Sequence, residues 1–311
     1  MIDRYLTGSV DRISPEAPVP VVLLHNRDNR LGGAANVALN LKALGAEPYL
    51  CSVTGDDTHG ELFAQLLPEA GLSKKGVVAS PERRTTIKTR VIASSQQLIR
   101  VDEEDRFDLT EKESRLFLER IRNLLESKDI DLILFQDYNK GVLHQTVIRE
   151  IILEAVKRDI PTAVDPKNKN FWEYKRVRLF KPNLSEIRAQ IPMRIDPNPD
   201  SLKEAAAYIH RKLDNPLTLI TLSEKGLFIT DHKEHYLIPA LARDIADVCG
   251  AGDTVVSVAS LGMALGWPLR EIAHLANLAG GQVCERVGVV PVNKKQLELE
   301  FQELVKNRLS V

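Results

Sequence analysis

An acid set in a glycine-rich turn is the first chemistry this sequence offers: Asp247-Val248-Cys249-Gly250-Ala251-Gly252-Asp253-Thr254, running directly into the apolar stretch 255–265. Small residues at 250–252 let successive backbone N–H groups turn toward one point. A helix opening behind them adds the positive end of its dipole, so the turn is suited to an anion. Asp253 would repel a bound anion in the ground state, and its carboxylate makes sense as a base that takes a proton from an attacking hydroxyl. Phosphoryl transfer fits both halves of the turn. On the octapeptide alone, an Asp that simply caps a helix accounts for the pattern as well.

A second candidate is Gly32-Gly33-Ala34-Ala35-Asn36, which leads into an apolar run closed by Gly45. Paired glycines at a helix start allow a ligand to approach the backbone, and Asn36 can offer an amide to a hydroxyl; tight packing at a helix N-terminus is the alternative. A third lies between Thr85 and Asp102, where Thr86, Lys88 and Arg90 fall on one face of a strand and Ile87 and Val91 on the other. A second strand, 97–101, follows Ser94-Ser95 as a hairpin. Lys88, Arg90 and Arg100 could meet a phosphate there, or form a solvated strand face.

The elements that must position these groups follow an α/β rhythm. Met1 to Tyr5 is a bare opening for such a chain, because no hydrophobic strand precedes it, and the proline-punctuated segment 12–24 suits an edge or a flap. A strand is expected at 48–53 and a helix at 58–69. Thr110 to Glu113 reads as a capping box for a long amphipathic helix, and Ser201 to Glu204 as another. Three buried strands, 131–136, 161–164 and 177–180, end at Asp137-Tyr138-Asn139-Lys140-Gly141, Asp165-Pro166-Lys167 and Lys181-Pro182-Asn183-Leu184-Ser185-Glu186. Open parallel sheets bind ligands at such carboxyl ends. A further strand, 217–222, ends at Ser223-Glu224-Lys225-Gly226. With 311 residues and no internal repeat or long linker, the expectation is a single domain, 1–311, carrying a small β-sheet lid from segments about 8–25 and 84–102.

Composition narrows the classes. A net charge of −1 argues against nucleic acid or an anionic membrane as the main partner. Three dispersed cysteines, Cys51, Cys249 and Cys284, form no C-x-x-C, which speaks against a disulfide framework or a zinc site and for a reducing, cytoplasmic setting. No signal peptide is expected, and the run 255–265 is too short to span a bilayer.

Taken together, 32–36, 181–186 and 247–254 resemble the ribokinase-like, or PfkB, sugar kinases over essentially the whole length. Asp3-Arg4-Tyr5, the segment 12–21, Gln96 to Asp102, Asp137 to Gly141 and Asp165-Pro166-Lys167 more narrowly resemble the D-glycero-D-manno-heptose 7-phosphate kinases of lipopolysaccharide-core synthesis. The resemblance implies a three-layer α/β/α sandwich with a mostly parallel central sheet. It also implies ATP-dependent phosphorylation of the anomeric hydroxyl of heptose 7-phosphate. Asp253 would be the base, with Gly250, Ala251 and Gly252 holding the phosphoryl group. Asp3, Gly32, Gly33, Asn36, Gln97, Asp137 and Lys140 would lie with the sugar phosphate, and Lys88, Arg90 and Arg100 would close over it, a role for these cations that the need to neutralise a dianion suggests.

Lys181, Asn183, Glu186, Thr221, Ser223, Gly226 and Asn277 would line the ATP site, with Asn183 and Glu186 reaching Mg²⁺ through water. A monovalent cation is an open option. The exposed-edge lid suggests a homodimer in which two lids cover each other. Cys249 stands where the family usually has Thr; it keeps the size with weaker hydrogen bonding, and activity is expected to survive. Bifunctional members carry a nucleotidyltransferase domain after the kinase, and with no second phosphate motif only the kinase step is expected here. A PfkB-type kinase of another sugar or nucleoside, and a non-catalytic sugar-binding regulator, are the competing readings.

Overall fold

The computed structural model describes residues 1–94 and 96–309, with side chains through Lys306. Its main sheet has six strands: β7 (Ile133–Gln136), β8 (Thr162–Asp165), β9 (Leu179–Phe180), β10 (Leu217–Thr221), β11 (Leu227–Thr230) and β12 (His235–Ile238), in the order β12-β11-β10-β9-β8-β7. β7 to β10 run parallel, β11 pairs antiparallel with β10, and β12 pairs antiparallel with β11. Alternation along the strands sorts their side chains to two cores. Val164, Phe180, Ile220 and Phe228 pack with α3 (Glu111–Ser127), α4 (Gln145–Lys157) and α6 (Pro199–Leu213). Ala163, Leu179, Leu219 and Leu227 pack with α7 (Ala251–Ala264) and α8 (Leu269–Cys284) on the other face. Both faces are therefore buried, which explains why these strands read as continuous apolar runs, and the three-layer expectation is met.

The second sheet has four strands, in the order β2-β1-β5-β6: β1 (Ile2–Ile13), β2 (Pro20–Leu31), β5 (Ile87–Ala93) and β6 (Gln96–Glu103). It starts earlier than segment 8–25, because β1 pairs in parallel with β5 from Ile2↔Ile87 onward and antiparallel with β2 from Ile2↔Leu31. The prolines behave as expected: Pro20 opens β2, an edge strand with no neighbour on its outer side to satisfy. β6 is longer than 97–101, and of the turn Ser94-Ser95, Ser95 lies outside the described residues. Beneath this sheet α1 (Ala34–Ala43) and α2 (Thr58–Glu69) close a third core around Ile2, Leu31, Phe63, Leu67 and Ile87.

Two expected elements shift. The strand placed at 48–53 is β3 (Ser52–Gly55), paired only with β4 (Val77–Ser80); Pro48 and its neighbours stay outside the ladder. The helix expected to be capped by Ser201 begins three residues earlier. Asn198 caps it, accepting from the Ser201 N–H at 3.0 Å, and Pro199 takes the first helical position, where its fixed φ and missing N–H cost nothing. The Thr110–Glu113 capping box forms as expected. The remaining helices are α5 (Leu184–Gln190) and α9 (Lys294–Leu309). Among the described residues, no helix is long and apolar enough to cross a membrane.

Candidate active site

Asp253 sits in the first turn of α7, only 7 % exposed, and both of its oxygens are engaged. Asn36 of α1 donates its Nδ2 to Oδ2 at 2.9 Å. Tyr138 Oη donates to Oδ1 at 2.8 Å, and Gln136 Nε2 reaches the same oxygen at 3.2 Å. Burial raises the Asp253 pKa from 3.8 to about 6; Asn36 and Tyr138 hold it down while the charge of Asp165 pushes it further up. A carboxylate so poised is a proton acceptor near neutral pH. The anion turn precedes it directly. Gly250 has φ 84°, a left-handed conformation, and a Cβ there would stand 3.0 Å from Asn36 Nδ2. Glycine is what lets the turn and the asparagine meet.

The neighbours of Asp253 are delivered by the carboxyl ends of three adjacent strands. β7 ends in Gln136, β8 in Asp165, and β9 is followed by Lys181, whose Nζ lies 3.2 Å from Asp165 Oδ2 with both residues at 2–3 % exposure. Gln136 Nε2 also donates to Asp165 Oδ2 at 3.2 Å. Lys167 bridges onward, 3.6 Å from Asp165 and 2.5 Å from Glu186, and the two carboxylates together hold its pKa above the ordinary lysine value against the opposing effect of burial. On the α1 side, Asn40 fixes Asn36: its Nδ2 donates to the Asn36 carbonyl at 2.9 Å, while its Oδ1 accepts from Thr254 Oγ1 at 3.1 Å and from the Val292 N–H at 3.0 Å.

Asp3, Gly32 and Gly33 gather beside this group. A Cβ on Gly32 would fall 1.8 Å from Asp3 Oδ2, so only glycine admits the buried carboxylate there. Asp3 is held by Arg90, whose Nη1 donates to Oδ1 at 2.6 Å, and Tyr5 packs under the Arg90 guanidinium at 5.2 Å. Lys88, two residues along the same face, instead shares Asp102 with Arg100, at 3.9 and 2.8 Å. Desolvation, with help from Arg100 and Lys140, lowers the Lys88 pKa, and Asp102 opposes it. Lys140 is paired with Glu104. Gln97 stands exposed on β6, opposite Ile92.

Asp137 is turned away from Asp253. Its Oδ1 accepts from the Asn139 N–H at 2.7 Å, and its Oδ2 from Tyr174 Oη at 2.8 Å and Asn170 Nδ2 at 3.2 Å, with 1 % exposure. Its two flanking residues are the ones that reach Asp253. Strand alternation was the available signal: if 137 faces one way at the end of β7, 136 and 138 face the other.

The residues expected to line a nucleotide form a contiguous strip. Asn183 and Glu186 make a reciprocal capping box at the start of α5, each accepting the other's N–H at 2.8 Å. Asn183 bridges to Thr221, the last residue of β10. Gly226 abuts the 238–240 backbone, and Asn277 Nδ2 donates to the Pro239 carbonyl at 2.9 Å. Ser223 lies between Thr221 and Gly226 with φ 56°.

Residues 2–296 match the model of the pfkB family of carbohydrate kinases. The chain is 39 % identical over 303 residues to the "Bifunctional protein HldE" of Methylobacillus flagellatus, covering 97 % of this chain and 62 % of that protein. It is also 39 % identical over 308 residues to the protein of the same name from a Nitratiruptor species, covering 98 % and 64 %. The chain thus spans somewhat under two thirds of the curated relatives it matches. Among solved structures, phosphofructokinase-2 of Escherichia coli with fructose-6-phosphate superposes with a TM-score of 0.80 at 20 % identity, over 98 % of this chain and 96 % of that one. Ribokinase of Thermotoga maritima superposes with a TM-score of 0.69 at 18 % identity, over 97 % and 96 %. These likenesses show the ribokinase-like fold.

Proposed function

The chain belongs to the pfkB family of carbohydrate kinases, and we propose that it phosphorylates the anomeric hydroxyl of D-glycero-D-manno-heptose 7-phosphate with ATP. The product, the 1,7-bisphosphate, would feed ADP-heptose and lipopolysaccharide-core synthesis. The observation that carries the chemistry is Asp253, a buried carboxylate poised near pH 6 in the first turn of the helix that opens behind the anion turn. The sugar hydroxyl approaches Oδ1, where Tyr138 now donates, and gives its proton to the carboxylate as its oxygen attacks the γ-phosphorus, whose bond to the β,γ-bridging oxygen breaks and releases ADP. The first-turn N–H groups of α7 and the nearby Lys181 face the charge that spreads over the phosphoryl oxygens. Asp3, Gly33 and Asn36 hold the sugar.

The relatives named HldE support the heptose substrate, and so do Lys88 and Arg100 on the four-stranded sheet and Lys140 in the loop after β7, which would meet the 7-phosphate. Arg90 serves this reading through Asp3, which it fixes in place. We read residues 1–311 as one kinase domain with that sheet as its lid. Exposed Leu23, Ile99 and Val101 on the sheet support pairing with a second copy of the chain.

Sugar kinases use a divalent cation with ATP, and Mg²⁺ supplies charge neutralisation on the phosphates when bound. Glu186 uses one oxygen for the Asn183 cap and the other for Lys167, so Asn183 and Glu186 suit contact through water better than direct ligation. No group of three His, Cys, Asp or Glu side chains placed to hold a metal ion occurs among the described residues.

The test is ATP consumption with heptose 7-phosphate, fructose 6-phosphate, ribose and adenosine. Turnover confined to heptose 7-phosphate is expected. Preference for a neutral sugar would keep the kinase and overturn the phosphate-binding lid.

A further inference from the structure

The four-stranded sheet presents one polar row beside the site. Arg30 of β2 pairs with Asp3 of β1, and Tyr5 of β1 pairs with Arg90 of β5, so by strand alternation the four side chains share a face. Tyr5 is buried, and the guanidinium groups of Arg30 and Arg90 lie over its ring, 4.9 and 5.2 Å from the centroid. Arg90 turns to Asp3. Tyr5 and Arg30 turn to the loop that follows α8: Tyr5 Oη accepts the Val289 N–H at 3.2 Å, and Arg30 Nη1 donates to the carbonyls of Val287 at 3.3 Å and Val289 at 3.5 Å. Asp28 aims Arg30, accepting from its Nε at 2.7 Å.

Residues 287–289 in turn bear on the anion turn. The Gly288 N–H donates to Asp247 Oδ2 at 2.9 Å, and Asp247 Oδ1 accepts the Cys249 N–H at 3.0 Å. One carboxylate therefore ties the loop to the residue just before Gly250. Although burial acts to raise the Asp247 pKa, these N–H groups and the charge of Arg90 hold it below the ordinary aspartate value, so both oxygens stay acceptors. Val289 also packs on the turn, its Cγ1 3.7 Å from where a Cβ on Gly250 would stand. Gly288, at φ 76°, passes so near the pair that a Cβ would fall 2.8 Å from Arg30 Nη1 and 3.0 Å from Tyr5 Oη.

Given the kinase reading above, on which this rests, we propose that Tyr5 and Arg30 are positioning residues for phosphoryl transfer. They act through residues 287–289 and Asp247 to hold the anion turn where the phosphoryl group is received. Catalysis of this class comes from fixed donors placed around the transferring group, and a displacement of about 1 Å costs about 10²-fold. The Tyr5 ring also supports Arg90, which fixes Asp3. One side chain on the sheet thereby serves the sugar end and the phosphoryl end together.

The test compares single-turnover phosphoryl transfer, at saturating ATP and heptose 7-phosphate, in Tyr5→Phe, Arg30→Gln, their double variant and Arg4→Ala. Tyr5→Phe keeps the ring under Arg90 and removes only the oxygen that accepts from Val289. Its transfer rate is expected to fall at least ~10-fold, with calorimetric affinities for ATP and for the sugar phosphate within ~3-fold. Arg30→Gln should behave alike, and the double variant should lose little more than the worse single one, because both act through one loop. Arg4 bonds to Asn29 at 2.8 Å on the opposite face, so Arg4→Ala loosens the sheet away from the loop and its rate should hold. A Tyr5→Phe rate within ~2-fold of the unmodified enzyme overturns the proposal, as does a loss of sugar affinity with the rate kept. Losses that multiply in the double variant, or an equal loss in Arg4→Ala, overturn it as well. Should Tyr5→Phe not fold, Gly288→Ala strains the same joint from the loop side, and an unchanged rate there overturns the proposal too. Preference of the unmodified enzyme for another sugar fails only the substrate reading, and the same comparison is then run with that sugar.

Discussion

Replacing Tyr138 with Phe removes one donor from the buried Asp253 carboxylate and leaves the ring that packs against Gly33. Hydrogen bonds to a charged group contribute about 1.5–3 kcal/mol, or about one to two pKa units at 1.36 kcal/mol each. Gln136 still donates to the same oxygen at 3.2 Å and Asn36 to the other at 2.9 Å, so the lower figure applies. The Asp253 pKa, already raised by burial to about 6, should climb further, by about one unit in this reckoning. A base works only when deprotonated, so the acid limb of the pH–rate profile moves to higher pH. At pH 6 kcat/KM should fall about five-fold relative to the unmodified enzyme, and at pH 8.5 the two should agree closely. Steady-state ATP consumption across pH 5 to 9 reads this directly. An active Tyr138→Phe enzyme whose acid limb stays in place, or moves down, refutes the reasoning.

Three other outcomes follow from the same contacts. Lys181→Met leaves Asp165 buried with the longer Lys167 contact as its remaining ion pair, beside the Gln136 hydrogen bond; breaking a buried pair costs about 3–5 kcal/mol, and the remaining lysine argues for about 3, measured by urea denaturation. A loss under about 1 kcal/mol would contradict the pairing. Lys88→Ala should raise KM for the sugar phosphate roughly 10- to 100-fold while KM for ATP holds, since a charge-assisted bond is lost on one substrate only; equal changes in both would remove Lys88 from the phosphate. Asp253 also sets a stability profile. Between pH 3.8 and about 6 the folded chain keeps a proton that the unfolded chain has released, so this group's contribution falls as pH rises through that window. Asp253→Asn should therefore gain stability on the unmodified protein from pH 4 to pH 8, by up to about 3 kcal/mol, and urea midpoints that differ equally at both pH values would refute it.

What was legible in the sequence is what local pattern encodes. The runs ending at Gln136, Asp165 and Phe180 read as buried strands because both faces of the sheet are covered, and their carboxyl ends do converge on Asp253. Residue types marked Asn36 and Asp253 although they are 217 positions apart. Long-range pairing was illegible. Nothing near Arg90 announces that parallel pairing of β1 with β5 sets Asp3 within 2.6 Å, so a cation expected to face a phosphate is half of an internal ion pair. Asp137 is the acid of its motif, while its neighbours on the opposite strand face hold Asp253. Ser201 to Glu204 offers a complete capping box in sequence, and only Pro199 signals the earlier start at Asn198.

The central claim is that Asp253 takes the proton of the acceptor hydroxyl. The most direct test is Asp253→Asn assayed with heptose 7-phosphate and ATP, with ATP binding measured separately by calorimetry. The account predicts a loss in kcat of about 10² to 10⁴ with ATP affinity kept. A loss of less than about tenfold would contradict it, since removal of a positioned base cannot be so mild.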